Sequence, residues 1–506
     1  MDAIDQLNPF IGFRAGQKEA IQEIIAKAQD GQKVLQLDAG VGSGKSLILT
    51  IAARVLLDEL DLERATYTTP QVKLVEQIKS DKHLNIPCLV GKANYPCSAL
   101  PGNFSAETCP LPKNMRKHLC SNCEYERAKD IFNGSKLGAL TIDKLLFDKS
   151  LRTDLLIVDE SSGLEERLVK QSEISLPNDI RAESLEEDLR KWAEQIVAEI
   201  SKAEGKQFSY AVLISEGDES PETLSHASKE GKRLRSLEQK LLKIQYLLDI
   251  LADGQKYIID KERKFKTLDG RRQFRKLCLG PSVVILASGT PCPQMLSSDF
   301  VTVSMPNPIP DSRRLVFYDP CGKMSSAVRE QTMDLMAPRI AQLHKACGRN
   351  TLLHCHSYKV AESLGNAICD QGCRVVFMNR DTKEEDIKYW MSLDNAVLAS
   401  VGCEEGLNCE GPKFPLNIIA VVPFAFRGDQ WVLEREKQDK EANLPYHQQH
   451  GIMSTAIAIQ QAVGRTTRGP EDYSETYILD ENFGWFCRRY RDAFKEDFLR
   501  SIRVRA

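Results

Sequence analysis

Residues 461–468 read QAVGRTTR, with Arg465 and Arg468 three positions apart. The preceding run TAIAIQQAV predicts a helix, which would carry both arginines on neighbouring positions of one face with Gln461 a turn earlier. Cations held rigidly in this way suit phosphoryl transfer, because charge on the transferring group must be neutralised without reorganisation. Arginine pairs also occur as solvated ion pairs, so the pair needs company. Residues 39–46, AGVGSGKS, provide it. Gly40, Gly42 and Gly44, with Ser43 between them, let the backbone curl so that its N–H groups face phosphate oxygens. Lys45 would reach the β- and γ-phosphates, and the Ser46 hydroxyl would ligate Mg²⁺. A third stretch, LLIVDESS at 155–162, offers Asp159 to hold Mg²⁺ through water and Glu160 to orient and deprotonate an attacking water. Its bland alternative is an acidic helix start capped by Ser161 and Glu165.

The elements that must position these groups follow from hydrophobic patterning. VLQLDAG reads as a buried strand leading into the glycine loop, and LILTIAARVLL as the helix leaving it. LLIVD reads as a buried strand whose carboxyl end presents the acids, where open α/β sheets bind ligands. From residue 304 on, LLHCH, CRVVFM, NAVLAS, NIIAVVPF and ETYILD alternate with helical segments, which implies a second parallel sheet with crossover helices. Between the acids and residue 280, Leu185, Leu189, Trp192, Ile196 and Ile200 make one apolar stripe, and Leu234, Leu237, Leu241, Leu248 and Leu251 another. A helical hairpin or a plain bundle cap explains both.

The 506 residues suggest three or four domains, and 42% hydrophobic with 27% charged residues is ordinary globular composition. No apolar run approaches the roughly 20 residues of a membrane span, and MDAIDQLNPF is no signal peptide. A net charge of −3 confines any nucleic-acid contact to a local groove. Fifteen cysteines without a secretion signal argue for a reducing compartment, and a cytoplasmic setting in a bacterial or phage-infected cell is expected. Cys88 and Cys355 stand in apolar contexts and read as core. Cys97, Cys109, Cys120 and Cys123 fall instead in a Pro-, Gly-, Asn- and Lys-rich stretch that needs a staple. Spacing does not choose between tetrahedral Zn²⁺ and a [4Fe–4S] cluster.

Taken in order, these pieces resemble the superfamily two helicases with an iron–sulfur domain, the XPD/DinG type, over most of the chain. FRAGQ at 13–17 resembles the adenine element, with Arg14 and Gln17 in the matching places. DAGVGSGKS, TYTTPQVKLVEQI, VGKANYPC, CSNCEYERAKD, LASGTP, RRLVFYDPCGKMS, LLHCHSYKVAESL, GCEEGLNCEG and QAVGRTTRGPEDYSETYILD follow in the family's order. The resemblance implies an α/β fold of two RecA-like parallel-sheet motor domains, with an inserted cysteine-rich metal domain and an inserted helical arch-like domain. Boundaries are expected at 1–94, 124–163 and 280–303 for the first motor domain, 95–123 for the cysteine insertion, 164–279 for the arch and 304–506 for the second motor domain. It further implies nucleotide contacts from Glu405 and Gly406, catalysis by Lys45, Asp159, Glu160, Gln461, Arg465 and Arg468, and a [4Fe–4S] cluster on the four cysteines, zinc being the alternative.

The implied activity is an ATP- and Mg²⁺-dependent helicase moving 5′–3′ along single-stranded or forked DNA, expected as a monomer. Three departures stand out: Ser161 and Ser162 replace the family's Ala-His pair, Asn408 replaces an aspartate, and Asp143 stands where an asparagine is common. The serines favour a second class, a DNA-stimulated ATPase that translocates or remodels without unwinding. A non-enzymatic redox DNA-binding protein is a third, opposed by the phosphate loop, the acids and the arginine pair. The basic runs KERKFKTLDGRRQFRK at 261–276 and KNMRKH at 113–118 are candidate phosphate contacts, and Tyr95, Tyr358 and Phe424 candidate base-stacking groups.

Overall fold

The computed structural model describes residues 3–40, 42–97, 104–112, 123–148, 151–290, 296–297, 299–403, 407, 409, 413–467 and 472–504. The first half opens with β1 (Val34–Asp38), β2 (Ala65–Thr69), β3 (Cys88–Leu89), β4 (Leu137–Thr141) and β5 (Leu155–Asp159). An excursion then contains β6 (Ile174–Ser175), two long helices, β7 (Tyr257–Ile259) and β8 (Lys264–Thr267), before β9 (Val283–Ser288) and β10 (Val301–Ser304). The large sheet runs in the order β10-β1-β9-β5-β2-β4-β3. β2 pairs in parallel with β4 and β5, and β3 with β4. Every residue of β2, β4, β5 and β9 is buried, as in a sheet covered on both faces; β5 (LLIVD) and β9 (VVILAS) are near-continuous apolar runs, whereas β2 (ATYTT) buries three threonines.

The second sheet is built from β11 (Arg314–Gly322), β12 (Thr351–His354), β13 (Val375–Phe377), β14 (Val397–Ser400), β15 (Leu416–Ile419), β16 (Ser474–Asp480) and β17 (Ile502–Val504). Its order is β13-β14-β12-β15-β16-β11-β17, and its pairings are parallel. Alternate residues feed different cores, as the two-residue period of a strand requires. Ile418 and Leu479 pack with the helices Arg329–Cys347 and Tyr358–Asp370, whereas Ile419 and Ile478 pack with Ala456, Ile459 and Phe483. Two RecA-like sheets are thus present. By compactness the chain divides into two units, one of Met1–Pro9, Ile25–Leu35 and Leu49–Leu286, the other of Phe10–Ile24, Gln36–Ile48 and Ala287–Ala506.

The excursion is a helical hairpin, Leu185–Ser215 and Pro221–Ala252. Leu185, Leu189 and Ile196 bury against Leu237, Ile244, Leu247 and Ile250, with Trp192, Ile200, Leu234, Leu241, Leu248 and Leu251 at the margin. Pro221 starts the second helix where its missing N–H costs nothing, and the Ser220 hydroxyl accepts from Thr223 N. The hairpin also rests on a small antiparallel sheet, β6-β8-β7, which apolar periodicity alone did not reveal. There Phe265 is fully buried and stacks on Tyr257 with ring centroids 4.6 Å apart. Among the described residues no helix is long and apolar enough to cross a membrane.

Candidate functional site

The glycine loop leaves β1 and opens directly into the helix Lys45–Glu59. Gly42 (φ 76°) and Gly44 (φ 78°) both take the left-handed conformation, which an L side chain resists. A Cβ on Gly44 would also come within 2.5 Å of Gln17 Nε2. The loop is held from the side by the FRAGQ segment. Arg14 Nη1 donates to Gly42 O at 2.8 Å, Gln17 Nε2 donates to Ser43 O at 2.8 Å, and Gln17 Oε1 accepts from Arg14 N at 2.8 Å. Residues expected at an adenine ring therefore also fix the loop's backbone. Ser43 is fully buried, and its Oγ has no hydrogen-bond partner among the described residues. Lys45 and Ser46 stand half-exposed at the helix start, where the helix dipole favours an anion. A helix start of this kind suits a phosphate group.

The acidic pair belongs to the compact unit that contains Leu49–Leu286. Asp159 ends β5, nine-tenths buried, with Oδ2 accepting from Tyr67 Oη at 2.6 Å and Oδ1 from Glu160 N at 2.9 Å. These two bonds fix the orientation of the carboxylate at the strand end. Glu160 has φ 52° and ψ 47°, a left-handed backbone that costs a non-glycine residue energy and clusters at functional sites. Ser161 and Ser162 are buried in the 3₁₀ turn Ser161–Gly163. The helix that follows, Leu164–Gln171, has Gly163 at its N-cap and no side-chain cap, so the capping alternative for this motif is not what forms. Asp143, the other departure, pairs with Arg167 at 2.8 Å. Sequence reasoning passed over Tyr67, although a tyrosine in a fully buried strand announces that its hydroxyl must find a partner.

The arginine motif differs from expectation. Its helix, His450–Val463, stops at Val463 with Gly464 as C-cap, so Arg465 lies beyond the helix and off its face. Glycine ends the helix, and the Arg465 guanidinium takes up a last-turn carbonyl, Nε donating to Gln461 O at 3.1 Å and Nη1 to Leu407 O at 3.3 Å. Gln461 is buried. Arg468, Glu405, Gly406 and Asn408 lie outside the described residues.

The cysteines divide. Cys88 is half-buried and its thiol is pushed up to about 11 by burial, as a core cysteine's should be. Cys120 lies outside the described residues. Cys109 is buried among Leu111, Ile214, Leu224 and Ala227, on the helical hairpin, and the neighbouring Thr108 O accepts from Ser228 Oγ at 2.7 Å. Cys123 packs at the edge of a different cluster, with Leu89, Tyr95 and Tyr125. Among the described residues no three Cys, His, Asp or Glu side chains come together as a metal site. In this arrangement Cys97, Cys109 and Cys123 do not fit one shared four-thiolate group.

The nucleic-acid candidates sort by burial. Tyr95 is buried edge-on against Tyr125, centroids 5.4 Å apart, and is a core residue. Tyr358 lies under Arg380, whose guanidinium is 5.5 Å from the ring centroid. Phe424 lines a cavity of about 490 Å³ with Arg427, Lys440, Trp485 and Tyr490. Asp480 holds the backbone of two residues that line this cavity, accepting from Met324 N at 3.2 Å and Asn482 N at 3.0 Å, and also accepts from Val422 N at 3.0 Å. Burial pushes its carboxyl up despite these bonds. In the basic run at 261–276, two cations are spent internally: Arg272 pairs with Asp253, and Arg263 Nη2 donates to Pro177 O at 2.9 Å. KNMRKH lies outside the described residues.

Residues 340–500 match the family model of the helicase C-terminal domain, and residues 10–161 that of the res subunit of type III restriction enzymes. Among solved structures, the chain is similar to Xpd4 of S. tokodaii at 16% identity and a TM-score of 0.56, covering 97% of this chain and 99% of that one. It is also similar to an XPD helicase at 14% identity and a TM-score of 0.59, covering 98% and 100%. An XPD structure without ligand aligns at 14% identity and a TM-score of 0.56, covering 94% and 98%. At these identities the likeness is one of fold.

Proposed function

We propose that this chain, a helicase-type ATPase by its matched domains, couples ATP hydrolysis to 5′–3′ movement along single-stranded DNA and so unwinds duplexes. The observation that carries the proposal is the phosphate loop: two left-handed glycines, a lysine at a helix start, and a backbone clamped by Arg14 and Gln17. In this reading Lys45 neutralises the β- and γ-phosphates, Ser46 and Asp159 hold Mg²⁺, and Glu160 takes the proton of the attacking water. Gln461, Arg465 and Arg468 stabilise the transferring phosphoryl group, Glu405 and Gly406 contact the nucleotide, and Arg14 and Gln17 sense the adenine. Phe424, Trp485 and Tyr490, with Arg427 and Lys440, supply stacking faces and cations for an unpaired strand.

A specific observation favours the second reading, movement or remodelling without unwinding. Ser161 and Ser162, both buried, stand where the resembled family has an Ala-His pair, so these two positions carry no imidazole to link hydrolysis to the strand. ATPase and strand-displacement assays, run side by side on 5′- and 3′-tailed duplex DNA and on RNA, test both. DNA-stimulated turnover with displacement of the 5′-tailed substrate supports the helicase. Turnover without displacement supports the alternative, and no stimulated turnover overturns both. The four-thiolate cluster enters no step, because the described thiols do not assemble one. Iron and zinc analysis of anaerobically purified protein decides it: about four irons per chain would restore the cluster and require Cys109 to leave its apolar neighbours.

A further inference from the structure

The phosphate loop is braced from below by a segment no motif predicts. Asp38, the last residue of β1, contacts the ammonium of Lys495, and the same ammonium lies 3.4 Å from Gly289 O, one residue past β9. The pair is largely shielded, with side chains 17% and 24% exposed, so screening by solvent is reduced. Two residues on, Asp497 accepts from Asn307 Nδ2 at 3.2 Å and from Arg314 Nη2 at 3.0 Å. The Asn307 side chain in turn occupies the space beside Gly40 that a side chain would need, since an added Cβ there would meet it at 2.9 Å. Asp38, Gly40, Asn307, Lys495 and Asp497 all belong to one compact unit. The other end of the brace is anchored by backbone. Lys495 N donates to Gln460 Oε1 at 3.0 Å, and Gln460 precedes Gln461 on the helix that ends just before Arg465.

We propose that Lys495 is a positioning residue for nucleotide turnover, setting the base of the phosphate loop through Asp38 and tying that base to the Gln460–Gln461 end of the arginine-motif helix. The proposal rests on the ATPase reading above. Lysine suits the task, because one compact ammonium can satisfy a carboxylate and a carbonyl at the ends of two strands at once. Losing it leaves Asp38 half-shielded beside the loop without its cation. The loop's backbone donors then lose their fixed aim, which raises the KM for ATP and lowers nucleic-acid stimulation, whereas a merely structural bond would move only the melting temperature.

A double-mutant cycle on the full chain tests this, reading ATP KM, kcat with and without single-stranded DNA, and melting temperature. Lys495→Met and Asp38→Asn should each raise the ATP KM about tenfold, and the double variant should be no worse than either, since both remove one interaction. Lys495→Arg, which keeps the charge, should stay within about threefold of wild type. Lys495→Met with unaltered KM and stimulation overturns the proposal, as do losses that simply add in the double variant. Should Lys495→Met fail to fold, Asp38→Asn carries the same KM readout. Lys45→Ala is the control: if it abolishes turnover while Lys495→Met changes nothing, the brace alone is wrong. If Lys45→Ala leaves turnover intact, the ATPase reading fails and the brace with it.

Discussion

The phosphate loop and the cysteine insertion are both irregular stretches marked by unusual residues, but their described residues differ in kind: glycines shape the loop's backbone locally, whereas the thiols of Cys97, Cys109 and Cys123 do not come together. In the loop, two of the three glycines set the backbone: Gly42 and Gly44 are left-handed, and the helix after them starts at Lys45. The site is local, made of N–H groups whose direction follows from φ and ψ. A thiolate site is different in kind. Its ligands are side chains brought together from distant points by packing, and packing has put Cys109 with Ile214 and Leu224 and Cys123 with Tyr95 and Tyr125. Residue type specifies a backbone cradle directly, but specifies a ligand set only through the rest of the fold.

The largest expected effect that sharpens this contrast is Lys45→Ala. Turnover should fall on the order of 10²–10³-fold with melting temperature nearly unchanged, since the lysine acts on transition-state charge. Steady-state ATPase beside a thermal melt checks it, and activity within a few-fold of wild type would break the assignment of the loop. Next is Gly44→Ala. Its left-handed φ costs a Cβ-bearing residue about 1–2 kcal/mol, and Gln17 must move, so nucleotide affinity should fall about tenfold. Titration with a fluorescent ATP analogue reads this directly; wild-type affinity would mean the backbone is not as constrained as the comparison requires.

On the insertion's side the expected effects are smaller. Cys109→Ala should cost about 1 kcal/mol of stability through lost packing on the hairpin, with basal ATPase retained and metal content unaltered. Loss of bound iron in that variant would reverse the contrast and make Cys109 a ligand. The smallest effect is on acid stability. Burial works to raise Asp497, but Arg314, Asn307, Lys495 and Phe498 N outweigh it and hold the carboxyl below the usual range. A depressed carboxylate adds stability above its ordinary value, near pH 4, and loses it as pH falls through the lower folded value. Asp480 has the opposite sign: its raised carboxyl contributes below the ordinary value and loses that contribution as pH rises through the folded one. Asp497→Asn should therefore flatten the loss of melting temperature below about pH 4, and Asp480→Asn should not.

Much of the fold was legible because the motor strands are continuous apolar runs bounded by glycine, proline or acid. VLQLD, LLIVD and NII were recognisable for that reason, and the hairpin by the helical period of its leucine stripes. The small sheet β6-β8-β7 was not, since KFKT alternates lysine with buried residues inside a run that looks merely basic. The end of the arginine-motif helix was in plain sight at Gly464, yet a period-based reading continued through it. Lys495 and Asn307 carried no signal at all. Each is an ordinary polar residue whose partner lies hundreds of positions away, and only the assembled sheet brings them together.

One feature of the chain's path bears on how it folds. β5 and β9 are neighbours in the sheet, with Ser282 N and Val283 N bonded to Asp154 O at 2.7 Å and 3.1 Å, yet the whole hairpin excursion separates them in sequence. Closing so long a loop as a free coil is slow and entropically expensive. The hairpin's own contacts are local, between two helices joined by a short turn, and can form first. Once formed, it carries its two ends back to the same place, so the late pairing of β5 with β9 has only short flexible tethers left to close. The excursion is thus a prefabricated bridge for the sheet it interrupts, and shortening both helices by matched turns should leave that pairing intact, while cutting only one should delay it.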